Sequence, residues 1–335
     1  MNVYSLLKLN RLLKNHRIKF LGLFLLHKLN KRYLAVHFDP VNACNLRCKM
    51  CYFTDEDYIK KLKGTFDADD LPLLARAVLK RALKFQIGCG TEPTLYKNLA
   101  DVIKIAKDFR VPHISLTTNG NLLTKEKIEL YVKQGLNEII LSLHGVHQES
   151  YEDLMQKGDY NKFLKVLQWI TELKGVHKNL SLRINYTFNE DNFNELSEFF
   201  TIFNEYSIDT FQLRPISRLG NTTYQNFKMD TIVPVYNKVL HRIKKECKSR
   251  GITLLAAENQ KALVNRKNVN SLPYAYSYCY ISPKEFWHED FDWRNESYDS
   301  YAKRKKLTRE LIKNVFSSSV KTKKAQTENL NYRIS

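Results

Sequence analysis

Three of the six cysteines stand within eight residues, at Cys44, Cys48 and Cys51. This spacing of four and three residues brings three thiols onto one short stretch of chain, where they can hold metal together. Four such ligands would complete a tetrahedral zinc site, whereas three hold three corners of a cubane iron–sulfur cluster and leave the fourth iron open. The triplet therefore predicts a metal centre, and an open iron would indicate chemistry rather than a structural role.

The cysteines follow a short segment of strand pattern. Residues 32–39 alternate apolar and polar side chains and run into Pro40, so the cysteines lie on a loop that leaves a strand. Five further strand-like segments follow at residues 85–95, 113–120, 138–145, 180–187 and 209–215. Helical periodicity separates them at residues 71–83, 99–109, 125–133, 160–173 and 193–206.

Local signals agree with this alternation of strand and helix. Thr124 is a good N-cap for the helix that starts at Lys125, and Gly135 is a stop signal just past its end. Six strand–helix repeats predict an α/β fold in which a parallel sheet curls into a partial (β/α)6 TIM-like barrel. In such a barrel the functional loops gather at the carboxyl ends of the strands, where the cysteines lie.

The cysteine loop resembles that of the radical S-adenosylmethionine (radical SAM) superfamily, and three later segments match that family in order. Residues 90–93 read Gly-Thr-Glu-Pro and are similar to its Gly-Gly-Glu-Pro turn. Residues 117–120, Thr-Thr-Asn-Gly, are similar to the end of its third strand, and residues 142–145, Ser-Leu-His-Gly, to its usual Ser-Leu-Asp-Gly. The resemblance implies one 4Fe-4S cluster whose free iron chelates the amino and carboxylate groups of S-adenosylmethionine.

The resemblance also implies which residues form the site. The cluster ligands would be Cys44, Cys48 and Cys51, and the contacts to S-adenosylmethionine would come from Tyr52, Gly90, Thr91, Glu92, Asn119, Ser142, Arg183, Asn185 and Arg214. Glu92 has the charge that suits the cofactor's ammonium group, and Gly90 lets the backbone approach closely. Thr91 and His144 depart from the family pattern, and His144 cannot supply the carboxylate contact to ribose. Arg183 and Arg214 are also candidates for binding a carboxylate or phosphate.

The reaction implied by the resemblance is reductive cleavage of S-adenosylmethionine to methionine and a 5′-deoxyadenosyl radical. That radical would abstract hydrogen from an unidentified substrate, which could be a small molecule, a sugar or nucleotide, or a peptide. An electron donor such as flavodoxin or ferredoxin would reduce the cluster. The alternative is a non-catalytic iron–sulfur or zinc-binding scaffold.

The remaining cysteines identify no catalytic residue. Cys89, beside the Gly90 turn, and Cys279 are candidates for a reactive group, but a small buried thiol explains either one as well. Beyond residue 89 only Cys247 and Cys279 occur, and two thiols cannot hold a second four-thiolate cluster. The sequence therefore predicts a single cluster, without the C-terminal auxiliary-cluster domain of many peptide-modifying relatives. His37, His113 and His147 are expected to be structural.

The formal net charge of +19 is concentrated in two segments. Residues 1–34 and residues 303–335 each carry +8, so the 268 residues between them carry only +3. No basic stripe or nucleic-acid motif crosses the predicted barrel, and nucleic-acid binding is not expected. Residues 6–34 mix basic residues with leucines and could lie on an anionic membrane surface or cover the barrel; both alternatives stay open.

The apolar run at residues 20–26 is far shorter than the roughly 20 residues that a membrane-spanning helix needs. We therefore expect the protein in the cytoplasm, where a thiolate-bound cluster stays reduced. We predict four segments: a basic amphipathic helical segment at 1–32, the barrel at 33–216, an extension at 217–302 that caps it, and a basic helix and tail at 303–335. In the extension, residues 231–250 predict a helix and 252–257 an added edge strand, and the aromatic residues between 274 and 293 are expected chiefly to pack.

Overall fold

The computed structural model describes residues 12–13, 15–216, 222, 224, 226–260, 273, 275–284 and 290–317. Several sequence predictions lie outside the described residues. They concern the start of the amphipathic segment at residues 1–11 and 14, the aromatic residues Tyr274, Phe286 and Trp287, and the tail from residue 318.

Eight parallel strands form one open sheet in the described chain. The strands are β1 (Leu34–Phe38), β2 (Ala82–Ile87), β3 (His113–Thr118), β4 (Glu138–Leu143), β5 (Ser181–Phe188), β6 (Thr210–Pro215), β7 (Thr253–Leu255) and β8 (Tyr278–Ile281). Their order across the sheet is β7-β6-β5-β4-β3-β2-β1-β8. This order confirms the predicted partial barrel, with consecutive strands adjacent and β7 added at one edge. β8, which the sequence did not predict as a strand, pairs with β1 and forms the other edge.

Helices connect most of these strands. They are α1 (His16–Lys28), α2 (Glu56–Lys61), α3 (Leu71–Val78), α4 (Leu99–Asp108), α5 (Lys125–Gln134), α6 (Gln148–Leu154), α7 (Tyr160–Val176), α8 (Phe199–Ile202), α9 (Tyr236–Ser249), α10 (Tyr298–Arg304) and α11 (Leu307–Phe316). The predicted caps of α5 are confirmed, because the Thr124 side chain accepts from the Lys127 amide and Gly135 ends the helix at φ 113°.

Three predicted helices were too long, and one of them, predicted at residues 231–250, begins only at Tyr236. The one at residues 71–83 ends at Val78, because a 3-10 turn at Leu79–Arg81 leads directly into β2. The one at residues 193–206 divides into a 3-10 turn, Asn194–Ser197, and the short α8. Phe199 of α8 stacks on Phe211 of β6 at a ring distance of 4.0 Å, so tertiary packing holds the shorter helix in place.

The two faces of the sheet differ in chemistry. Alternate residues of each strand, such as Leu34, Val36 and Phe38 of β1, are buried in the hydrophobic core beneath the helices. The opposite face, which we call the inner face, carries polar side chains. They include His37, Lys84, Gln86, Ser115, Thr117, Glu138, Ser142, Arg183, Asn185, Gln212 and Arg214. Both faces of a parallel sheet are usually apolar because they are buried. A polar inner face therefore indicates a ligand-binding interior.

Helix α1 covers part of the protein body. Its Phe20 and Leu23 are buried, and the Phe20 ring meets Tyr276 edge-on at 5.6 Å. The covering role predicted as one alternative for this segment is therefore seen for these two residues. None of the described helices combines the length and apolarity needed to cross a bilayer.

Candidate cofactor site at the carboxyl ends of the strands

The cysteine loop leaves the carboxyl end of β1 and is fixed by its own backbone contacts. The Arg47 guanidinium donates to the carbonyls of Cys44 and Leu46 at 2.9 and 2.8 Å. The amides of Arg47 and Lys49 donate to the carbonyls of Gln156, just past α6, and Leu154, its last residue. These bonds tie the loop to the opposite side of the barrel mouth and hold it in one conformation.

All three thiols of the triplet are partly buried and free of disulfides. Burial raises the pKa of Cys44 to about 12 and also raises the pKa of Cys48 and Cys51, and neighbouring thiolate charge adds to the effect at Cys48. Three thiolates in such a place need a bound cation, and soft sulfur donors suit an iron–sulfur cluster. The donor set therefore fits the cluster that the sequence predicts.

In the described part of the chain, no group of three or more His, Cys, Asp or Glu side chains is arranged around a single metal ion. A cubane places its three thiolates on three different irons, so its ligands stand farther apart than the ligands of one ion. The Leu46 amide lies 3.4 Å from Cys44 Sγ, which is the kind of hydrogen bond that tunes a cluster sulfur.

The turn after β2 is built on Asp39, a residue that the sequence analysis did not single out. Asp39 is fully buried, and its carboxylate accepts from the amides of Cys89 at 2.6 Å and Gly90 at 3.1 Å. The hydroxyls of Thr91 and Tyr280 also donate to it, at 3.1 and 2.9 Å. Burial raises the pKa of Asp39, and these four donors oppose that rise. The carboxylate therefore sets the shape of the turn.

Tyr52 holds the same turn from the side of the cysteine loop. Its hydroxyl donates to the Gly90 carbonyl, so its predicted contact with S-adenosylmethionine would have to use the ring or the backbone. A Cβ on Gly90 would lie 2.6 Å from the Tyr52 hydroxyl, so a larger residue here would displace the Tyr52 side chain from its hydrogen bond. Thr91 is engaged through its hydroxyl on Asp39.

Glu92 links the turn to the end of β3. Its side chain is 2% exposed, and Oε1 accepts from the Thr94 amide at 3.2 Å, the Thr94 hydroxyl at 2.6 Å and the Thr118 hydroxyl at 2.7 Å. Oε2 accepts from the Asn119 amide at 2.9 Å. Burial raises the pKa of Glu92 against these donors. Oε2 takes one donor and Oε1 takes three, so Oε2 has the greater remaining capacity to accept a hydrogen bond.

Asn119 connects β3 to the cysteine loop. Its Nδ2 donates to Asn45 Oδ1 at 2.9 Å, and its Oδ1 accepts from the Asn121 amide at 2.9 Å. The Glu92 amide in turn donates to the carbonyl of Ala43 at 2.9 Å. The structure thus brings the predicted residues Glu92 and Asn119 together with the loop, although the side chain of Asn119 serves to position that loop.

The other predicted residues lie on the inner face of β4, β5 and β6, with Ser142 and Arg214 near the carboxyl ends of their strands and Arg183 in the amino half of β5. Ser142 pairs with Asn185 in the strand register, and Asn185 accepts from Arg183 Nε at 2.9 Å. Arg183 also donates to the side-chain oxygen of Gln212. Arg214 is exposed at the end of β6, one step farther along the strand.

His144, which departs from the family pattern, carries a buried atom in need of a partner. Among the described residues nothing forms a hydrogen bond with its Nδ1. Burial, aided by the charge of Arg214, lowers the pKa of His144 to about 4, so the ring is neutral at pH 7. Buried polar atoms are seldom left unpaired, and a polar ligand group at this strand end would satisfy Nδ1.

Lys84 is a second inner-face residue that the sequence analysis missed. It is half-buried and donates to Gln86 Oε1 at 2.6 Å. Burial and the nearby charge of Arg183 lower its pKa to about 8. The neighbouring carboxylate, Glu138, is shared with His113 at 3.2 Å. Lys84 and Arg183 therefore give this part of the inner face an excess of positive charge.

The two cysteines proposed as reactive groups lie in different environments. Cys89 lies at the carboxyl end of β2, beside Gly90 of the turn, and its Sγ is 3.3 Å from His37 Nδ1. Cys279 is fully buried and pairs in register with Val36, on the helix-covered face of the sheet. Cys279 thus lies in the hydrophobic core, and only Cys89 is near the site.

One sequence signal could have identified both missed residues. Asp39 follows Ala35 and His37 at steps of two, and Lys84 precedes Gln86 by two, so each belongs to the polar side of its strand. Polar residues repeated at alternate positions in successive strands indicate a polar inner face.

The comparisons with known proteins agree with this geometry. Residues 38–200 match the family model described as the radical SAM superfamily. A relative named "Probable GTP 3′,8-cyclase" from Sulfolobus acidocaldarius is 28% identical over 179 residues, which cover 53% of this chain and 55% of the relative. One of the same name from Sulfurisphaera tokodaii is 25% identical over 61% of this chain and 63% of its own length. The chain thus spans less than two thirds of these relatives.

Solved structures show the same fold. The structure of SuiB from Streptococcus suis bound to S-adenosylmethionine is similar at a TM-score of 0.61, with 18% identity, and covers 92% of this chain and 74% of SuiB. The likeness accords with an open parallel sheet whose first strand leads into the three-cysteine loop. Residues 38–200 of this chain therefore form a radical SAM domain.

Proposed function

We propose that this protein is a radical SAM enzyme that acts on a substrate with an anionic group. The observation that carries the proposal is the meeting of the three-cysteine loop and the 88–94 turn at the carboxyl end of the sheet, joined by the Glu92–Ala43 and Asn119–Asn45 hydrogen bonds. When bound, the cluster supplies one electron that cleaves S-adenosylmethionine to methionine and a 5′-deoxyadenosyl radical.

The residues of the chain hold and orient the cofactors in this proposal. Cys44, Cys48 and Cys51 ligate the cluster, while Oε2 of Glu92 and the backbone of the Gly90 turn receive the ammonium group of S-adenosylmethionine. Ser142 and Asn185, which pair in register, face the rest of that cofactor. The burial of the thiols, of Asp39 and of Glu92 keeps water from the reacting centre.

The substrate class follows from the charge of the inner face. Lys84 and Arg183 lie near each other on the inner face, and the carboxylate of Glu138 is also nearby. Two cations beside one carboxylate give a net positive charge that would attract an anion. A carboxylate or phosphate of the substrate would bind here, and the guanidinium of Arg183 suits both because of its planar fork. The relatives named GTP 3′,8-cyclase are consistent with a phosphate-bearing substrate.

The proposal also names a partner and a compartment. An electron donor such as flavodoxin or ferredoxin must reduce the cluster, and the protein works in the cytoplasm, where its thiolates stay reduced. Contact with a membrane surface through residues 6–34 belongs to the same set of proposals. Addition of reduced flavodoxin or ferredoxin in place of dithionite tests the donor, because the correct one restores turnover.

Anaerobic reconstitution with iron and sulfide tests the proposed function. The wild-type protein should gain a brown visible absorbance and, with S-adenosylmethionine and dithionite, release 5′-deoxyadenosine that mass spectrometry detects. Cys48→Ser should lose both, whereas Cys247→Ser on α9 should keep both. Failure of the wild-type protein to form either the chromophore or 5′-deoxyadenosine would refute the proposal.

The second candidate is a non-catalytic scaffold that binds zinc or an iron–sulfur cluster through the same cysteines. Metal analysis of the purified protein separates the two. One equivalent of zinc without labile iron would favour the scaffold. Nδ1 of His144, which is buried without a hydrogen-bond partner among the described residues, and the positive charge around Lys84 favour the enzyme, because a scaffold does not need a polar interior that can bind a ligand.

A further inference from the structure

Helices α1 and α11 lie side by side and form a surface that the proposed reaction does not use. They run antiparallel, since Nε2 of His16 and Nε of Arg17, at the start of α1, lie 3.2 and 3.3 Å from the carbonyl of Ser317, just past α11. Phe20, Leu23 and Leu311 anchor the pair to the protein. The opposite side of the pair, which we call the α1/α11 face, points to solvent.

The α1/α11 face is unusually apolar. Of thirteen large apolar side chains that are exposed in the described chain, eight lie on or beside these two helices. On α1 and just after it, Ile18, Leu21, Leu25 and Leu29 follow at steps of three, four and four residues, so they form one exposed stripe. Phe316, at the end of α11, is 78% exposed. A cluster of this kind marks an interaction site rather than ordinary surface.

Positive charge borders this apolar stripe. A cavity of ≈ 610 Å³ opens between α1, α10 and α11, and Lys28, Lys303, Lys306 and Arg309 line it. Its one acidic lining residue among those described, Asp299, pairs with Arg81 at 2.8 Å. No carboxylate of the described chain pairs with the four lining cations. The cavity is therefore an unneutralised cationic site beside exposed leucines.

We propose that the α1/α11 face docks on a membrane that contains anionic phospholipids. The leucine stripe would enter the interface between headgroups and acyl chains, and the cations of the cavity would contact headgroup phosphates. Residues 303–317 carry six Lys or Arg and one acid, so two copies of this face would repel each other. Exposed aliphatic side chains offer nothing to nucleic-acid bases, which stack on aromatic rings. Charge and apolarity together thus fit an anionic bilayer.

The position of the face suits this role. Arg81, against the cavity, directly precedes β2, and Tyr33 precedes β1, so the face lies toward the amino ends of these strands. The cysteine loop follows the opposite, carboxyl end of β1. A docked protein would therefore keep the mouth of the barrel open to its substrate. The proposal stands independently of the reaction.

Vesicle sedimentation with the full-length protein tests the docking. Wild-type protein should sediment with vesicles of phosphatidylcholine and phosphatidylglycerol, remain in solution with phosphatidylcholine alone, and dissociate as salt rises. Lys303→Gln/Lys306→Gln/Arg309→Gln should weaken binding roughly a hundredfold, from about fivefold for each charge. Leu21→Ser/Leu25→Ser should weaken it by at least about tenfold.

Matched controls use exposed residues elsewhere on the protein. Lys238→Gln/Lys244→Gln/Lys245→Gln on α9 removes equal charge, and Leu130→Ser/Val176→Ser removes two other exposed apolar side chains. Both should bind like the wild type. Absence of wild-type binding to anionic vesicles at low salt would overturn the proposal, as would an equal loss in the controls. Light scattering gives a separate readout of the oligomeric state. If the wild type is a dimer that does not bind vesicles, and Leu21→Ser/Leu25→Ser makes it a monomer, the face would be assigned to a second copy of the chain.

Discussion

Replacement of Asp39 by asparagine should destabilise the protein and loosen the Gly90 turn after β2. The carboxylate accepts four hydrogen bonds, two of them from the peptide amides of Cys89 and Gly90. The hydroxyls of Thr91 and Tyr280 can rotate and accept instead of donate, but a peptide amide cannot. If the new NH2 replaces Oδ1, it faces the Cys89 amide; if it replaces Oδ2, it faces the Gly90 amide, which keeps only its longer contact with Oδ1 at 3.4 Å.

The size of the effect follows from that one lost bond. An unsatisfied buried donor costs about 1–3 kcal/mol, and the replacement removes the charge from the remaining bonds as well. Loss of the buried charge returns part of this, since burial raises the pKa of Asp39 and the ionised form is therefore costly. We expect Asp39→Asn to lower the free energy of unfolding by about 2 kcal/mol and Asp39→Ala, which abandons all four donors, by about 3–4 kcal/mol.

Urea unfolding of the apoprotein, followed by tryptophan fluorescence, measures this free energy without the cofactors. Asp101→Asn on the exposed side of α4 is the matched control and should stay within about 0.5 kcal/mol of the wild type. A second measurement, the affinity of the reconstituted protein for S-adenosylmethionine, should fall at least about tenfold in Asp39→Asn as the Gly90 turn loosens. Unfolding and affinity both equal to those of Asp101→Asn would refute the role assigned to Asp39.

Three further predictions concern the site. Cys48→Ser should abolish the visible absorbance of the reconstituted protein, while Cys247→Ser leaves it unchanged. Lys84→Met should stabilise the apoprotein by about 1–3 kcal/mol at pH 7, because burial lowers the pKa of Lys84 to about 8. Below pH 8 the lysine is protonated in both the folded and the unfolded protein, so the cost of its burial is fully present. As pH rises from 8 toward 10.5, the stability of the wild type should approach that of the variant. Urea unfolding at pH 7 and pH 10 should show that the difference in unfolding free energy becomes smaller. Gly90→Ala should impair cofactor binding because its Cβ would meet the Tyr52 hydroxyl. The added substitution Tyr52→Phe removes that hydroxyl and should restore part of the affinity. Equal calorimetric affinities of the single and double variants would contradict the clash.

Periodicity predicted the elements whose contacts are local or repeated. The six core strands and the caps at Thr124 and Gly135 follow from patterns of neighbouring residues, and the structure confirms them. β8 could not be predicted this way, because Tyr-Cys-Tyr-Ile at 278–281 reads equally well as aromatic packing. What makes it a strand is its pairing with β1, about 240 residues earlier in the chain. Long-range pairing of this kind leaves little trace in a single sequence.

The candidate site shows a related limit. Motif similarity identifies Glu92 and Asn119 as site residues, but it does not predict which hydrogen bonds their atoms form. Oε1 of Glu92 accepts three of the four hydrogen bonds to this side chain, and Nδ2 of Asn119 donates to Asn45 of the cysteine loop. Such bonds position the loop, and that function needs the same residue types as binding a ligand directly.

The two roles coexist because the atoms divide them. Oε2 of Glu92 takes one donor and keeps capacity for an ammonium group, whereas Oε1 holds the Thr94 turn and the end of β3. Replacement of Glu92 by glutamine therefore has two distinguishable results. An amide oxygen at the Oε1 position keeps three of the four hydrogen bonds, so only the Asn119 amide loses its acceptor and the free energy of unfolding should fall by about 1–3 kcal/mol. The NH2 at the Oε2 position also repels the ligand's ammonium. A loss of cofactor affinity in Glu92→Gln, with a loss of stability no larger than that of one hydrogen bond, would support the divided role, and a cofactor affinity equal to that of the wild type would assign Glu92 to the scaffold alone.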